Sequence, residues 1–375
     1  MKSSRKLFAL VTSAAAVTLA LGACGSSSKS SAGANASSTT SATNASTSAT
    51  NASSPTTTGP KPKVSLMVGG LNKQIYLPFM LAKQLGYYDK YGVDITLNDE
   101  PAGVNAETAM LAGEVDGVGG FYDHTVDLQT KGKQTMSVVQ LLQTPGEVEL
   151  CRTDLKDQIK SPADWTGRNL GVTGLGSSTN FLTKALAVHA GVPVDKITSV
   201  AVQAGTTFIA AMQHKAIDCG MTTEPTITAV LQQNLGYVLV DMRTTEGTQA
   251  ALGGTYPASS VYMQTDWVNS HKDAVQRLVN ALVDTLHYIH THTGAQIADQ
   301  MPPDYYAGVG KDAYVQALDA EKGIYSPDGI MPPTGPQTVF DVLTRFNPSM
   351  AGKTAELTAT YTTTFAEQAA KDIGQ

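Results

Sequence analysis

Short apolar runs alternate with helical patterns along the chain from Val64 onwards. Residues 64–68 have the length and composition of a strand, and leucines at positions 77, 81 and 85 then recur at helical spacing. The alternation continues to Asp241, with glycines such as Gly86 and Gly191 placed where helices end. This order of elements is typical of parallel sheets covered by helices on both faces. The pattern therefore predicts an α/β fold.

The last third of the chain has the pattern of packed helices. Charged and amide side chains lie opposite an apolar stripe on one long predicted helix, at Asp273, Arg277, Asn280 and Asp284. The stripe itself consists of Val275, Leu278, Val279, Leu282, Val283, Leu286 and Ile289.

The first residues have the features of an export signal. Lys2, Arg5 and Lys6 precede a short apolar segment, which ends in Leu-Gly-Ala-Cys at Cys24. This end resembles the lipobox of bacterial lipoproteins, in which the cysteine becomes the first mature residue and carries the lipid. An ordinary signal peptide or a short membrane anchor is the alternative, but the apolar segment is shorter than the ~20 residues that a spanning helix needs.

A linker follows the signal. Residues 24–62 are mainly Ser, Thr, Ala and Asn, and such a segment buries too little apolar surface to offset the entropy of ordering it. We predict that this linker is disordered. The roughly 310 residues that remain are suited to two domains.

Charge and cysteine content narrow the function further. The formal net charge is −6 and no basic stripe occurs, which argues against nucleic-acid binding. Cys151 and Cys219 remain besides Cys24, and both lie in strand-like segments. They form a disulfide if the two strands are neighbours, and are otherwise two buried thiols.

Four phrases of the chain suggest a family. They are Pro-Phe-Met-Leu-Ala-Lys-Gln-Leu-Gly-Tyr-Tyr-Asp-Lys-Tyr-Gly-Val-Asp-Ile at 78–95, Met-Leu-Ala-Gly-Glu-Val-Asp at 110–116, Gly-Val-Thr-Gly-Leu-Gly-Ser-Ser-Thr at 171–179 and Ala-Met-Gln-His-Lys-Ala-Ile-Asp at 211–218. In this order they resemble the solute-binding proteins of nitrate, sulfonate and taurine ABC importers and their thiamine-pyrimidine relatives.

The resemblance implies a type II periplasmic-binding-protein fold, with two α/β lobes joined by two crossing segments. The expected organisation is a lipoprotein signal peptide at 1–23, the linker at 24–62, a first lobe begun by 63–148 and a second lobe formed by 149–252. Residues 253–375 then complete the first lobe and add the C-terminal helices.

Ligands of open α/β sheets bind beyond the carboxyl ends of the strands. The loop from Gly174 to Thr179 follows a strand and opens a helix, so its amides and the helix dipole favour an anionic group. We therefore predict ligand contacts from Gly176, Ser177, Ser178 and Thr179. The alternative is an ordinary helix cap without a ligand.

Other loops at strand ends supply further candidates. Gln74 and Tyr76 follow the first strand, Gly120 and Tyr122 follow the third, and Glu224 follows a strand of the second lobe. Tyrosine can stack on a planar ligand, glycine permits close approach, and glutamate can accept a hydrogen bond from a ligand amine. A surface loop, a half-buried tyrosine and an acid in the first turn of a helix are the structural alternatives.

These features together predict a receptor at the extracytoplasmic face of the bacterial membrane. It is anchored by lipid at Cys24, captures a small anionic or heteroaromatic solute and delivers it to the membrane subunits of an ABC importer. No catalytic residue, cofactor, metal ligand or nucleic-acid partner is expected. The alternatives are an enzyme of the same fold that acts on a pyrimidine-like ring, and a metal-capture lipoprotein that uses His287, His290 and His292.

Overall fold

The computed structural model of the protein describes residues 60–350 and 352–373. The predicted signal peptide, nearly all of the predicted linker and the predicted lipidation site, Cys24, lie outside the described residues. None of the helices in the described part of the chain has both the length and the hydropathy to cross a bilayer.

The first of two five-stranded sheets has the order β2-β1-β3-β10-β4. Strands β1, β2 and β3 are parallel, and β10 runs antiparallel to both β3 and β4. Its strands are β1 (Lys63–Val68), β2 (Asp94–Asp99), β3 (Gly117–Phe121), β4 (Thr135–Gln140) and β10 (Ser259–Gln264).

The second sheet repeats this arrangement with the order β7-β6-β8-β5-β9. Strand β6 is parallel to β7 and β8, whereas β5 runs antiparallel to β8 and β9. Its strands are β5 (Glu147–Arg152), β6 (Asn169–Val172), β7 (Thr198–Ala201), β8 (Cys219–Thr223) and β9 (Gly236–Asp241).

The chain passes between the sheets twice, through residues 141–146 and 242–258. Each passage delivers the one strand of each sheet that runs antiparallel to both of its neighbours, β5 in the second sheet and β10 in the first. The α/β architecture of two lobes joined by two crossing segments is the one predicted from the sequence. The bounds proposed for each lobe, 63–148, 149–252 and 253–375, stay a prediction.

Helices cover the sheets and form the C-terminal region. Their bounds are α1 (Leu77–Gln84), α2 (Tyr87–Lys90), α3 (Gly103–Leu111), α4 (Asp123–Thr130), α5 (Ser178–His189), α6 (Thr206–Gln213), α7 (Thr226–Gln232), α8 (Thr245–Leu252), α9 (Thr265–Ser270), α10 (Lys272–Thr291), α11 (Gly294–Gln300), α12 (Lys311–Glu321), α13 (Gly335–Phe346) and α14 (Thr364–Asp372).

Helix α10 is the long helix predicted from the apolar stripe, and all seven stripe residues are buried. Two residues assigned to its polar face are also nearly buried, because neighbouring elements supply partners. Asp284 accepts hydrogen bonds from Lys90 and Tyr91, and the amide of Asn280 donates to a carboxylate in α14.

Residues 115–118 have the sequence pattern of a strand, but β3 begins two residues later and ends three residues later. Its glycines leave room for large neighbours, and a Cβ at Gly119 would lie 2.6 Å from a ring carbon of Phe79. Because neighbouring side chains fill the space beside these glycines, the strand itself has few apolar residues, and its sequence gives a weak strand pattern.

Cys151 and Cys219 form a disulfide between β5 and β8. The two residues lie directly opposite each other in this antiparallel pair, and both are fully buried. The covalent link therefore joins two central strands of the second sheet.

Candidate functional site

A small cavity lies where the carboxyl ends of strands from the two sheets meet. The first sheet contributes the loop after β1, the start of α3 and the end of β3, and the second contributes the segment from β6 into α5, the end of β8 and the start of β5. The cavity is lined by Gly69, Lys73, Ile75, Tyr76, Gly103, Phe121, Glu147, Thr173, Ser177, Ser178, Thr179 and Thr223.

A larger groove of about 720 Å³ lies elsewhere, between the end of α5 and the end of α13. Its walls are mostly apolar, with side chains such as Val188, Val192 and Phe346. We place the functional site in the small cavity, because buried polar groups from both sheets converge there at strand ends, the usual ligand position in α/β folds.

Three hydroxyl groups where the β6–α5 loop enters α5 have different hydrogen-bond partners. Ser177 accepts a 3.3 Å hydrogen bond from the amide of Val104, and Ser178 donates a 2.7 Å hydrogen bond to Asp123. Thr179 instead accepts from the backbone amide of Thr173 at 3.0 Å. Two of the hydroxyls therefore tie the second lobe to the first, and the third stabilises the loop itself.

In a third hydrogen bond between the lobes, the backbone amide of Gln74 donates to the backbone carbonyl of Glu224 at 3.0 Å. The lobes are thus closed around a cavity of about 20 Å³, close to the space that one water molecule occupies. A solute of several heavy atoms can enter only when the lobes separate.

Lys73 is a buried cation at the wall of the cavity. Its ammonium donates to the carbonyl oxygens of Gly69 at 2.5 Å and Pro101 at 3.0 Å. Burial lowers the pKa of Lys73 to about 8, although the nearby Glu147 opposes this effect. Gly70, at φ +112°, permits this fold-back, because a Cβ there would lie 2.5 Å from the lysine side chain.

Asp123 is a buried acid at the boundary between the lobes. One carboxylate oxygen accepts from Ser178, and the other accepts from the hydroxyl of Tyr256 at 2.8 Å. Burial raises the pKa of Asp123, and the neighbouring His124 and these two hydrogen bonds oppose that effect. Both oxygens of Asp123 are thus already engaged within the protein.

Glu147 begins β5 and is 3% exposed. Burial raises the pKa of Glu147 well above its usual value, Asp123 adds to the effect, and Lys73 opposes it. Its Oε2 atom accepts no hydrogen bond from the described part of the chain. Thr223 lies directly opposite in β8, and its hydroxyl is likewise without a partner among the described residues.

Four of the nine predicted ligand contacts line this cavity: Tyr76, Ser177, Ser178 and Thr179. Gly176 belongs to the same loop but points towards the other lobe, where a Cβ at φ +91° would lie 3.4 Å from Val104.

The other predicted contacts lie behind the cavity wall. The side-chain amide of Gln74 donates to the carbonyl of Tyr314 at 3.2 Å. Gly120 is inside β3, where the side chains of Val118 and Tyr262 occupy the space that a Cβ would need.

Tyr122 and Glu224 are also bonded within the protein. Tyr122 is fully buried with its hydroxyl bonded to Thr360, because β3 directs the preceding residue, Phe121, into the cavity instead. Glu224 accepts from the amide of Thr228 at 3.0 Å and from Arg243 at 3.3 Å.

Several cavity residues were not singled out from the sequence. Lys73, Asp123 and Thr223 stand in loops that the sequence analysis selected, so position relative to a strand end was the available signal. Glu147 was harder to identify from the sequence, because it is a glutamate within a strand, β5, that is buried along its whole length.

The predicted histidine cluster has structural contacts. The Nε2 atom of His290 lies 3.2 Å from the carbonyl of Ser326, and the ring of His292 stacks on Tyr288 with centroids 3.6 Å apart. Within residues 60–350 and 352–373, no group of three His, Cys, Asp or Glu side chains is arranged to hold a metal ion.

A family model described as "NMT1/THI5 like" matches residues 74–295. Among curated proteins, the bicarbonate-binding protein CmpA of Synechococcus elongatus is 24% identical over 234 residues, which cover 55% of this chain and 50% of CmpA. The chain therefore spans about half the length of the curated relative it matches.

Solved structures show the same fold. A protein of Bordetella bronchiseptica RB50 has a TM-score of 0.80 at 28% identity, covering 84% of this chain and 99% of its own. The periplasmic nitrate-binding protein NrtA from Synechocystis has a TM-score of 0.65 at 13% identity, covering 84% of this chain and 89% of NrtA. The predicted periplasmic-binding-protein fold is confirmed.

Proposed function

The chain belongs to the NMT1/THI5-like family, and from this premise we propose that it is an extracytoplasmic solute-binding protein of an ABC importer. It captures a small solute between its two lobes and delivers the solute to the membrane subunits of the importer. The bicarbonate-binding and nitrate-binding proteins that it resembles support this class of function.

One observation carries the proposal: the cavity is built from both lobes and is closed by hydrogen bonds between them. Ser177 and Ser178 of the second lobe bond to the first, and the loop at Gln74 bonds back to the second. A site of this kind opens and closes by a hinge motion, which admits a solute and then excludes water. An importer can recognise the closed form as the loaded one.

The proposal is tested by identifying what the protein holds. Mass spectrometry of small molecules released from the denatured protein should identify a solute, and calorimetric titration should show that the stripped protein binds it again. The solute should be recovered chemically unchanged after prolonged incubation. Turnover of the solute would instead support an enzyme of the same fold.

We also propose that the protein is held at the outer face of the membrane through lipid on Cys24. The motivation is the short apolar segment and the Leu-Gly-Ala-Cys sequence that ends it. A Cys24→Ala variant should move from the membrane fraction to the soluble extracytoplasmic fraction, because a lipid anchor is lost while the globular part is untouched. Immunoblots of separated fractions measure this.

The matched control for this test is Ser28→Ala, which changes the predicted linker and leaves the cysteine in place. It should fractionate with the membrane as the unaltered protein does. Retention of the Cys24→Ala protein in the membrane fraction after a carbonate wash would contradict lipid anchoring at this residue.

A further inference from the structure

Two buried oxygen atoms without partners lie side by side on the wall of the cavity. Glu147 and Thr223 are opposite residues of the antiparallel pair β5–β8, so their side chains project from the same face of the sheet. Oε2 of Glu147 and Oγ1 of Thr223 have no hydrogen-bond partner in the described chain, and both residues line the cavity. Buried polar atoms are normally satisfied, so this pair is suited to an external partner, and both oxygens can accept a hydrogen bond from it.

The other charged groups beside the cavity already form hydrogen bonds within the protein. Both oxygens of Asp123 accept hydrogen bonds from the protein. Of the described residues that line the cavity, Lys73 is the one cation, and its ammonium already donates to two carbonyl oxygens. Among the described residues that line the cavity, the site therefore offers two unpartnered oxygens that can accept and no side-chain cation that is free.

An oxyanion fits this arrangement poorly. Nitrate, bicarbonate and sulfonate groups are negatively charged and present mainly acceptor oxygens, and here they would lie beside two acids, Glu147 and Asp123, whose ionisation burial already disfavours and an anion would oppose further. Like charges repel strongly under these conditions. A group that carries N–H donors meets the opposite situation, because each N–H can satisfy one of the orphaned oxygens.

We propose that the solute of this cavity is a nitrogen compound, such as an amine, an amidine or an aminated heterocycle, that donates N–H hydrogen bonds to Glu147 and Thr223. This inference rests on the proposed solute-binding function and names the chemical class of its ligand. It gives Glu147 the role of amine acceptor that the sequence analysis assigned to Glu224, a residue that is already bonded to Thr228 and Arg243.

The inference is tested with simple probes on the full chain in detergent, stripped of bound solute by unfolding and refolding. Benzamidine, 4-aminopyrimidine and 1,4-diaminobutane represent N–H donors, and sodium nitrate, bicarbonate and methanesulfonate represent oxyanions. Calorimetric titration should detect binding of an N–H probe and of none of the oxyanions. Glu147→Gln should weaken that binding at least about tenfold, because glutamine offers one acceptor oxygen in place of two and its NH2 group would oppose the N–H donors of the probe.

Glu149→Gln is the matched control. Glu149 lies two residues along the same strand, is fully buried and accepts from Thr183 at 3.1 Å, but it does not line the cavity. Burial raises the pKa of Glu149 to about 8, and glutamine keeps an amide oxygen that can accept from Thr183. This variant should bind the N–H probe as the unaltered protein does.

The outcomes separate this inference from the broader function. Oxyanion binding that persists in Glu147→Gln, whose amide can still donate, would overturn the inference, and so would a released solute that lacks any N–H group. If the released solute carries N–H groups but no simple probe binds, the same two variants are titrated with that solute, and equal affinities overturn the inference. A protein that binds no probe and releases no solute would contradict solute binding itself.

Discussion

Replacing Gly174 by valine is expected to weaken solute binding roughly ten- to a hundredfold while leaving both lobes folded. Gly174 lies in the loop between β6 and α5, and a Cβ there would lie 2.9 Å from the Cβ of Ala102 in the other lobe. The clash arises across the interface between the lobes, so it penalises the closed form far more than the open form. Affinity falls because only the closed form encloses the solute.

Two measurements check this expectation. Calorimetric titration with the recovered solute gives the affinity, and small-angle scattering with saturating solute should give a larger radius of gyration for Gly174→Val than for the unaltered protein. Gly308→Val is the control, since Gly308 is exposed with no atom within 4 Å of the added Cβ. Equal affinity and equal compaction in all three proteins would show that closure does not bring Gly174 against Ala102.

Removing the disulfide by Cys151→Ala with Cys219→Ala is expected to lower the free energy of unfolding by about 4 kcal/mol. The two cysteines are 68 residues apart in sequence, and the link restricts the unfolded chain over that loop. The loss should be confined to stability, because neither sulfur lines the cavity. Denaturant titration of the double variant and its parent measures the difference.

A Cys24→Ala background serves as the parent here, so that any thiol detected belongs to this pair. Labelling under denaturing, non-reducing conditions should find no reactive thiol in the exported parent protein. Two labelled thiols together with unchanged stability of the double variant would mean that the residues act as two buried thiols in the exported protein.

Local sequence pattern was sufficient for the elements whose packing follows one period. The apolar residues of α10 recur every three or four positions, and this spacing is sufficient to predict that one face of the helix is buried. The order of strands and helices likewise indicated loops at strand ends, and Ser177, Ser178 and Thr179 do line the cavity. Periodicity reports which residues are buried, and this is why these expectations agree with the fold.

Which side chain of each loop faces the cavity was harder to predict from the sequence. Phe121 at the end of β3 lines the cavity, whereas the next residue, Tyr122, is buried with its hydroxyl bonded to Thr360, although tyrosine looks the better ligand contact. In the loop after β1, Lys73 lines the cavity, while the side chain of Gln74 bonds to Tyr314. A shift of one residue reverses the direction of a side chain, and pattern alone does not fix strand ends to one residue.

The sequence by itself determined the α/β order of elements, the strand-end loops and the buried helix stripe, because each depends on contacts between residues close in the chain. Only the tertiary structure decided that Glu147 and Thr223 stand opposite each other and that Ser178 bonds to Asp123. These pairs are separated by 55 residues or more, and they meet only when β5 pairs with β8 and the two lobes come together. Long-range packing, and not local propensity, therefore sets the chemistry of the cavity.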